Sequence, residues 1–457
     1  MATSTLCARR ALVAGTWRED VALTVASGRI TAIRPCAGGP WDADLLVAAP
    51  ANGHSHAFQR AMAGLAEARG AAGRDSFWTW RQLMYRFLDR LDPDQVEAIA
   101  AFVQMEMLEA GFGASVEFHY LHHRPDGRPY DRLGEMAGRI AAAAATSGIG
   151  LTLLPVHYRH GGCDGRPLGP GQRRFANDPD RFARLVEEAR AALAHLPPDA
   201  VLGVAPHSLR ALPPEDLRAA ATLVPEGPVH IHLAEQPAEV TEVAAAWGAR
   251  PVEWALDNLP LDARWSPIHC TQMTPDETVR LARTGAVAGL CPLTEANLGD
   301  GIFDGVRWLG AGGAFAVGSD SNIRISLAGE LRQLETSQRL RDHARAALAD
   351  HRSTGRRLME DAAIGGASAA GRGSGRIEEG AVADLLALDT DHPDLAGLAP
   401  DTALDTFVAT GAASGGRGMV AHVWSAGRLL VRDGRHIARD PITAAYRRAT
   451  APLRATL

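Results

Sequence analysis

The sequence predicts an α/β chain: a (β/α)8 TIM-like barrel with a small β-sandwich domain built from both termini. Three observations carry this. The middle of the chain alternates eight short apolar runs with Ala/Leu/Glu/Arg-rich helical stretches. The two ends share a hairpin texture that the middle lacks. Polar side chains gather at the C-terminal ends of the predicted strands, where a barrel places its chemistry.

Residues 7–35 read as β-hairpins, and 21–33 are two apolar stretches hinged at Ser27-Gly28. Residues 383–389 and 422–436 are strand-like, with glycine turns. Pairing the two ends gives an N-terminal part over 1–50 and a C-terminal part over 372–457, with the barrel over 51–371. The eight barrel strands are LLVAAPANGH, ASVEFHY, GLTLLPVHY, VLGVAPHSL, VHIHLAE, SPIHCTQM, AVAGLCPLT and FAVGSDSN. Alternating β and α segments in that number argue for a closed parallel barrel. The span exceeds the ~250 residues usual for such a barrel, so insertions are expected. One is the Gly-, Pro- and Arg-rich stretch 160–178, either a surface loop or a lid.

Composition narrows the function. The chain has 457 residues, 46% hydrophobic and 22% charged, which suits a large folded core. A net charge of −6 gives no electrostatic case for nucleic acid. No apolar run approaches the ~18 residues of a membrane span. The five cysteines form no C-x-x-C pair, so neither a cysteine zinc site nor a disulfide framework is suggested. These features fit a reducing, cytoplasmic setting. All 47 Lys+Arg residues are arginine. Schiff-base lysines, P-loop lysines and carboxylated lysines bridging two metals are therefore excluded.

The strand ends carry candidate metal ligands. His54 and His56 end the first strand, and residues i and i+2 of an extended segment face the same way. That pair alone is weak evidence. The fifth strand adds His230, His232 and Glu235, the sixth His269 and the eighth Asp320. Imidazoles plus a carboxylate suit Zn2+ with one position left for water. Either His230 or His232 can be the ligand; His232 is favoured, being nearer the strand's C-terminal end. His119, His157 and His195 are read as packed or supporting residues. Without lysine the site should hold one divalent metal, with His54, His56, His232 and Asp320 as ligands. His269 is then left to contact the nucleophilic water.

This series resembles the amidohydrolase superfamily, and His232 with Glu235 resembles its deaminase branch. NGHSHAFQRAMAG (52–64), DSFWTWR (75–81), GQRRF (171–175), APHSLR (205–210), HLAEQ (232–236) and GSDSN (318–322) are similar to the formimidoylglutamate deiminases of histidine degradation. The resemblance spans nearly the whole chain. It implies hydrolysis of N-formimidoyl-L-glutamate to N-formyl-L-glutamate and ammonia, and a homodimer. It also implies substrate contacts from Gln59, Arg81, Tyr120, His207 and Arg210. One departure is Gly53, before the first ligand, which is expected to loosen the backbone.

The chemistry is coherent with that expectation. Glu235 can act as general acid, while His269 and Asp320 orient water and take its proton. Arg81 and Arg210 can bind carboxylates bidentately, and Gln172, Arg173 and Arg174 are weaker candidates in the long loop. Two alternatives stand: a deaminase of a purine, pyrimidine or other heterocycle, with the FWTWR aromatics stacking on the base, and a non-enzymatic relative. The second would be expected to have lost a ligand, Glu235 or His269.

Overall fold

A computed structural model of the chain describes residues 3–67, 77–411 and 417–455. The N-terminal strands are β1 (Ser4–Val13), β2 (Thr16–Ala26), β3 (Arg29–Pro35) and β4 (Ala43–Ala48). The central strands are β5 (Ala51–Ser55), β6 (Ala114–His119), β7 (Gly150–His157), β8 (Val201–Leu202), β9 (Ala205–Pro206), β10 (Val229–Leu233), β11 (Trp265–His269), β12 (Val287–Leu290) and β13 (Ala314–Val317). The C-terminal strands are β14 (Leu385–Leu388), β15 (Val420–Ser425), β16 (Arg428–Arg432) and β17 (Arg435–His436).

The central strands pair in parallel in two arcs, β5-β6-β7-β8 with β9 on β7, and β10-β11-β12-β13. Isolated bridges close the arcs into a barrel. Val204 pairs with Val229 and Ser208 with His232 on one side; Ser55 pairs with Asp320 on the other. The strands are buried on both faces, which is why they read as continuous apolar runs and not as alternating ones. Helices follow the strands and carry their own start signals. Asp92, Asp178, Thr274, Ser326 and Ser353 each accept a hydrogen bond from a first-turn N–H.

The two termini meet in one eight-stranded sheet, ordered β17-β16-β15-β14-β4-β1-β2-β3. This sheet curls back on itself. Ile30 donates to the Ala381 carbonyl, and Ala383 to that of Gly28. Its faces enclose Leu6, Leu23, Ile30, Leu46, Leu385 and Trp424. Buried Arg372 bonds Asp199 before β8 and Asp384 before β14, tying the sheet to the barrel.

Two details differ from expectation, and one contact between free cysteines was not anticipated. The first predicted strand is two elements: Ala49-Pro50 breaks the run, and its first half joins the terminal sheet through β1 and β14. Proline has no N–H for a ladder, so the break falls there. The fourth predicted strand is likewise split into β8 and β9. Cys7 and Cys36, far apart in sequence, sit with their sulfurs 2.6 Å apart.

Gly53 does not loosen the backbone. It is buried in β5, and a Cβ there would lie 2.7 Å from the Ala316 Cβ of β13. Glycine lets these strands approach where the barrel closes. Gly318 does the same from the other side, since its Cβ would lie 2.5 Å from the His54 nitrogen.

Candidate active site

The barrel's closure brings the candidate ligands together. His56 donates its N–H to the Asp320 carbonyl at 2.9 Å, and Asp320 donates to the His54 carbonyl at 2.9 Å. This exchange seats the Asp320 carboxylate 3.3 Å from His56 Nε2 and 3.6 Å from His54 Nε2. Asp320 adopts a left-handed φ of 42° to do so. Asn322 bridges the junction, donating to the carbonyls of His56 and Asp320. The third imidazole comes from β10: His232 Nε2 lies 3.2 Å from His54 Nε2.

The ring nitrogens have defined roles. His56 Nδ1 lies 3.0 Å from the Phe118 carbonyl oxygen, and His232 Nδ1 lies 3.2 Å from that of His207. A carbonyl only accepts, so each Nδ1 carries the hydrogen and each Nε2 presents a bare lone pair. Burial keeps these rings neutral: it lowers His56 to about 3 and takes His54 and His232 well below the ordinary range. His54 Nδ1 is buried with no partner. Three neutral imidazoles whose nitrogens converge within 4.8 Å, with a carboxylate beside them and His54 Nδ1 left without a partner, fit a divalent metal.

His230 is not part of this group. Its Nε2 meets the Ala369 carbonyl at 2.8 Å, on the outer side of the strand. His119 and His157 are buried and packed, and His157 stacks on Phe182.

Beside the imidazoles, Glu235 Oε1 lies 3.7 Å from His269 Nε2, and Asp320 Oδ2 lies 4.0 Å from that nitrogen. Burial pulls His269 down, but Glu235, Glu295 and Asp320 outweigh it and lift the ring to about 10. Burial raises Asp320 to about 7, partly offset by His269. Glu235 is reached from the other side by Arg210 Nη2 at 3.5 Å.

An open cavity leads from this group to the surface. His56, His207, His232, Glu235, His269 and Asp320 line its floor. Gln59, Arg81, Tyr120 and Arg210 line the walls, so all five residues expected to contact substrate reach it. Gln59 donates to the Tyr120 hydroxyl at 2.9 Å and leaves its own carbonyl oxygen buried and unpartnered. Arg210 Nε is also buried without a hydrogen-bond partner. Within the DSFWTWR segment, Asp75 and Ser76 lie outside the described residues; Phe77 and Trp80 line the cavity mouth.

The long loop contributes differently from expectation. Part of it forms a short 3-10 helix, Pro170–Phe175. Arg174 is buried in it and donates to the carbonyls of Leu88, Leu91 and His123, so it holds the loop and not a ligand. Arg173 points outward to the Pro170 carbonyl. Gln172 donates to the Tyr158 hydroxyl at 2.7 Å, and Arg81 donates to the same oxygen at 2.9 Å. Tyr158 and Tyr85 line the cavity, and neither was singled out from the sequence. A signal for Tyr158 existed: FHY ends the β6 run and VHY ends the β7 run, placing Tyr158 where Tyr120 stands one strand earlier.

Comparison with known proteins agrees with this geometry. Residues 45–430 match the amidohydrolase family. The formimidoylglutamate deiminase of Pseudomonas aeruginosa is 45% identical over 97% of this chain and 98% of its own length. A 5-methylthioadenosine/S-adenosylhomocysteine deaminase of Nitratidesulfovibrio vulgaris is 28% identical over 91% of this chain and 89% of its own. The crystal structure of an amidohydrolase from Brucella melitensis superposes with a TM-score of 0.93, at 49% identity, covering 98% of this chain and 99% of that one. The chain belongs to the amidohydrolase family.

Proposed function

We propose that the protein is a metal-dependent deiminase that hydrolyses N-formimidoyl-L-glutamate to N-formyl-L-glutamate and ammonia. One observation carries the substrate class: two arginines, Arg81 and Arg210, line the same cavity as the imidazole cluster. A free purine or pyrimidine base offers them no carboxylate and S-adenosylhomocysteine offers one, whereas a glutamyl substrate offers two. The relatedness to the Pseudomonas aeruginosa deiminase supports the same reading.

In this reading His54, His56, His232 and Asp320 hold the metal, and Zn2+ suits their donor set. The metal, when bound, supplies Lewis acidity and lowers the pKa of a water from 15.7 toward ~7. His269 orients the attacking water, and Asp320 receives its proton. The water oxygen bonds to the formimidoyl carbon, giving a tetrahedral carbon with two nitrogens. Glu235 delivers a proton to the terminal nitrogen and takes up the hydroxyl proton as the C–N bond breaks, so that ammonia leaves and the formyl C=O forms. Gln59 and Tyr120 hydrogen-bond the substrate beside the metal ligands, and His207 packs against it. Arg81 and Arg210 hold its carboxylates. Histidine degradation and a homodimer belong to the same reading and rest on the family resemblance; a cytoplasmic location rests on the cysteine usage and the short apolar runs.

The test is a comparison of kcat/KM for N-formimidoyl-L-glutamate, cytosine, guanine and S-adenosylhomocysteine with the zinc-loaded protein. The proposal expects turnover of the first alone. Preference for a heterocycle would replace it with the deaminase alternative.

A further inference from the structure

We propose that Glu295 is the positioning residue of His269: it takes the Nδ1 hydrogen of that ring and so aims Nε2 at the reacting centre. This rests on the reading of His269 above.

The arrangement is built from the chain outward. β12 ends at Leu290, and the short helix Pro292–Leu298 follows at once. Glu295 and Cys291 hold each other twice across this turn. The Glu295 amide donates to the Cys291 carbonyl at 2.8 Å, and the Cys291 amide donates to Glu295 Oε1 at 2.8 Å. The carboxylate is thus fixed to the backbone before it meets any other group. The same Oε1 lies 3.3 Å from His269 Nδ1.

Burial makes the contact count. Glu295 is 4% exposed and His269 1%, so water does not compete for either. A carboxylate can only accept, so the nitrogen facing it carries the hydrogen. The opposite nitrogen is the one that faces Glu235 and Asp320. Glu295 itself does not line the cavity, which places it behind the ring and away from substrate.

The backbone explains why the ring needs such a support. His269 and the following Cys270 both have left-handed φ, 72° and 52°. Such residues persist only where their surroundings hold them. Glu239 performs a parallel task one strand pair away: its carboxylate accepts from the amides of Ala234 and Glu235. Glu239 thereby fixes the exit of β10 at Glu235, and Glu295, anchored after β12, reaches the ring of His269 at the end of β11.

His269, Cys291 and Glu295 also place ligating atoms within 4.8 Å of one another. A second metal there is a competing explanation, and it makes a different prediction. Burial holds the Cys291 thiol well above its usual range, so it stays protonated, and Glu295 Oε1 is already committed to an amide.

The experiment compares wild type, Glu295→Gln and Glu295→Ala as full-length, zinc-loaded proteins. For Glu295→Ala, kcat for N-formimidoyl-L-glutamate should fall about 10- to 100-fold, the usual effect of removing such a partner. KM and the single metal per chain should stay unchanged. Glu295→Gln keeps an acceptor oxygen and should fall between. In 15N-histidine-labelled protein, a low-field ring N–H signal removed by His269→Asn should be present in wild type. It should be lost in Glu295→Ala. Retention of that signal, or wild-type kcat in Glu295→Ala, would overturn the inference. So would a second metal per chain that Glu295→Ala releases. If wild type releases no ammonia, the deiminase reading fails, while the ring signal still decides the pairing.

Discussion

His54 and His232, 178 residues apart, point their Nε2 atoms at each other across 3.2 Å. Both rings are neutral and buried, and His232 already uses its Nδ1 hydrogen on a carbonyl. His54 has no partner at Nδ1, so its one hydrogen can sit on either nitrogen; with the hydrogen on Nδ1, both Nε2 lone pairs are presented to a cation. Binding metal to the folded state alone stabilises it, by about 4 kcal/mol at a thousandfold excess over Kd. Chelation should therefore lower the melting temperature as well as abolish turnover. His232→Ala should lose the metal with the activity, as read by metal analysis of the purified protein.

Glu235 is assigned proton transfer and not metal binding. Glu235→Gln should keep one metal per chain and an unchanged KM. Its kcat should fall by about 10²- to 10⁴-fold, the range for loss of a general acid. Steady-state kinetics with parallel metal analysis reads both. A variant with normal kcat would remove Glu235 from the proton path.

Arg210 has a buried Nε without a hydrogen-bond partner and stands against two glutamates. A hydrogen bond to a charged group is worth about 1.5–3 kcal/mol. Arg210→Met should therefore cut kcat/KM by about 10- to 200-fold. Arg210→Lys should restore little, because an ammonium lacks the planar fork. Equal kcat/KM in all three proteins would remove Arg210 from carboxylate binding.

Gly53 is predicted to be a packing residue. Gly53→Val places its first carbon 2.7 Å from Ala316 and pushes the strand that carries His54. Overpacking of this kind costs about 1–3 kcal/mol. Denaturant unfolding should show that loss, and metal affinity should fall with it. Unchanged stability would mean that β5 and β13 can move apart without cost.

Arg372 ties the terminal sheet to the barrel through Asp199 and Asp384. Removing one member of a buried ion network costs about 3–5 kcal/mol, because the remaining charges stay buried. Arg372→Met should lose stability on that scale in denaturant unfolding. Its activity per folded molecule should remain that of wild type.

The barrel was legible because its strands, buried on both faces, leave short continuous apolar runs that alternate with helix-forming stretches. The His54, His56, His232, His269 and Asp320 set was legible because strand ends are a predictable place for chemistry. Gly53 was misread because its reason is Ala316, 263 positions away and invisible to local inspection. Arg174 was misread because a buried arginine and a solvated one look alike in a Gly/Pro-rich loop. Glu295 and Glu239 left no local mark, since each is defined by the backbone amide it accepts from. The joining of β4 to the terminal sheet was hidden by a run of apolar residues that continues across Pro50.

The most direct test uses N-formimidoyl-L-glutamate labelled with 13C at the formimidoyl carbon and the zinc-loaded protein. The products are followed by NMR together with an ammonia assay. The account predicts one N-formyl-L-glutamate and one ammonia for each substrate consumed. No turnover by folded, metal-loaded protein, or release of formamide and glutamate in their place, would contradict it.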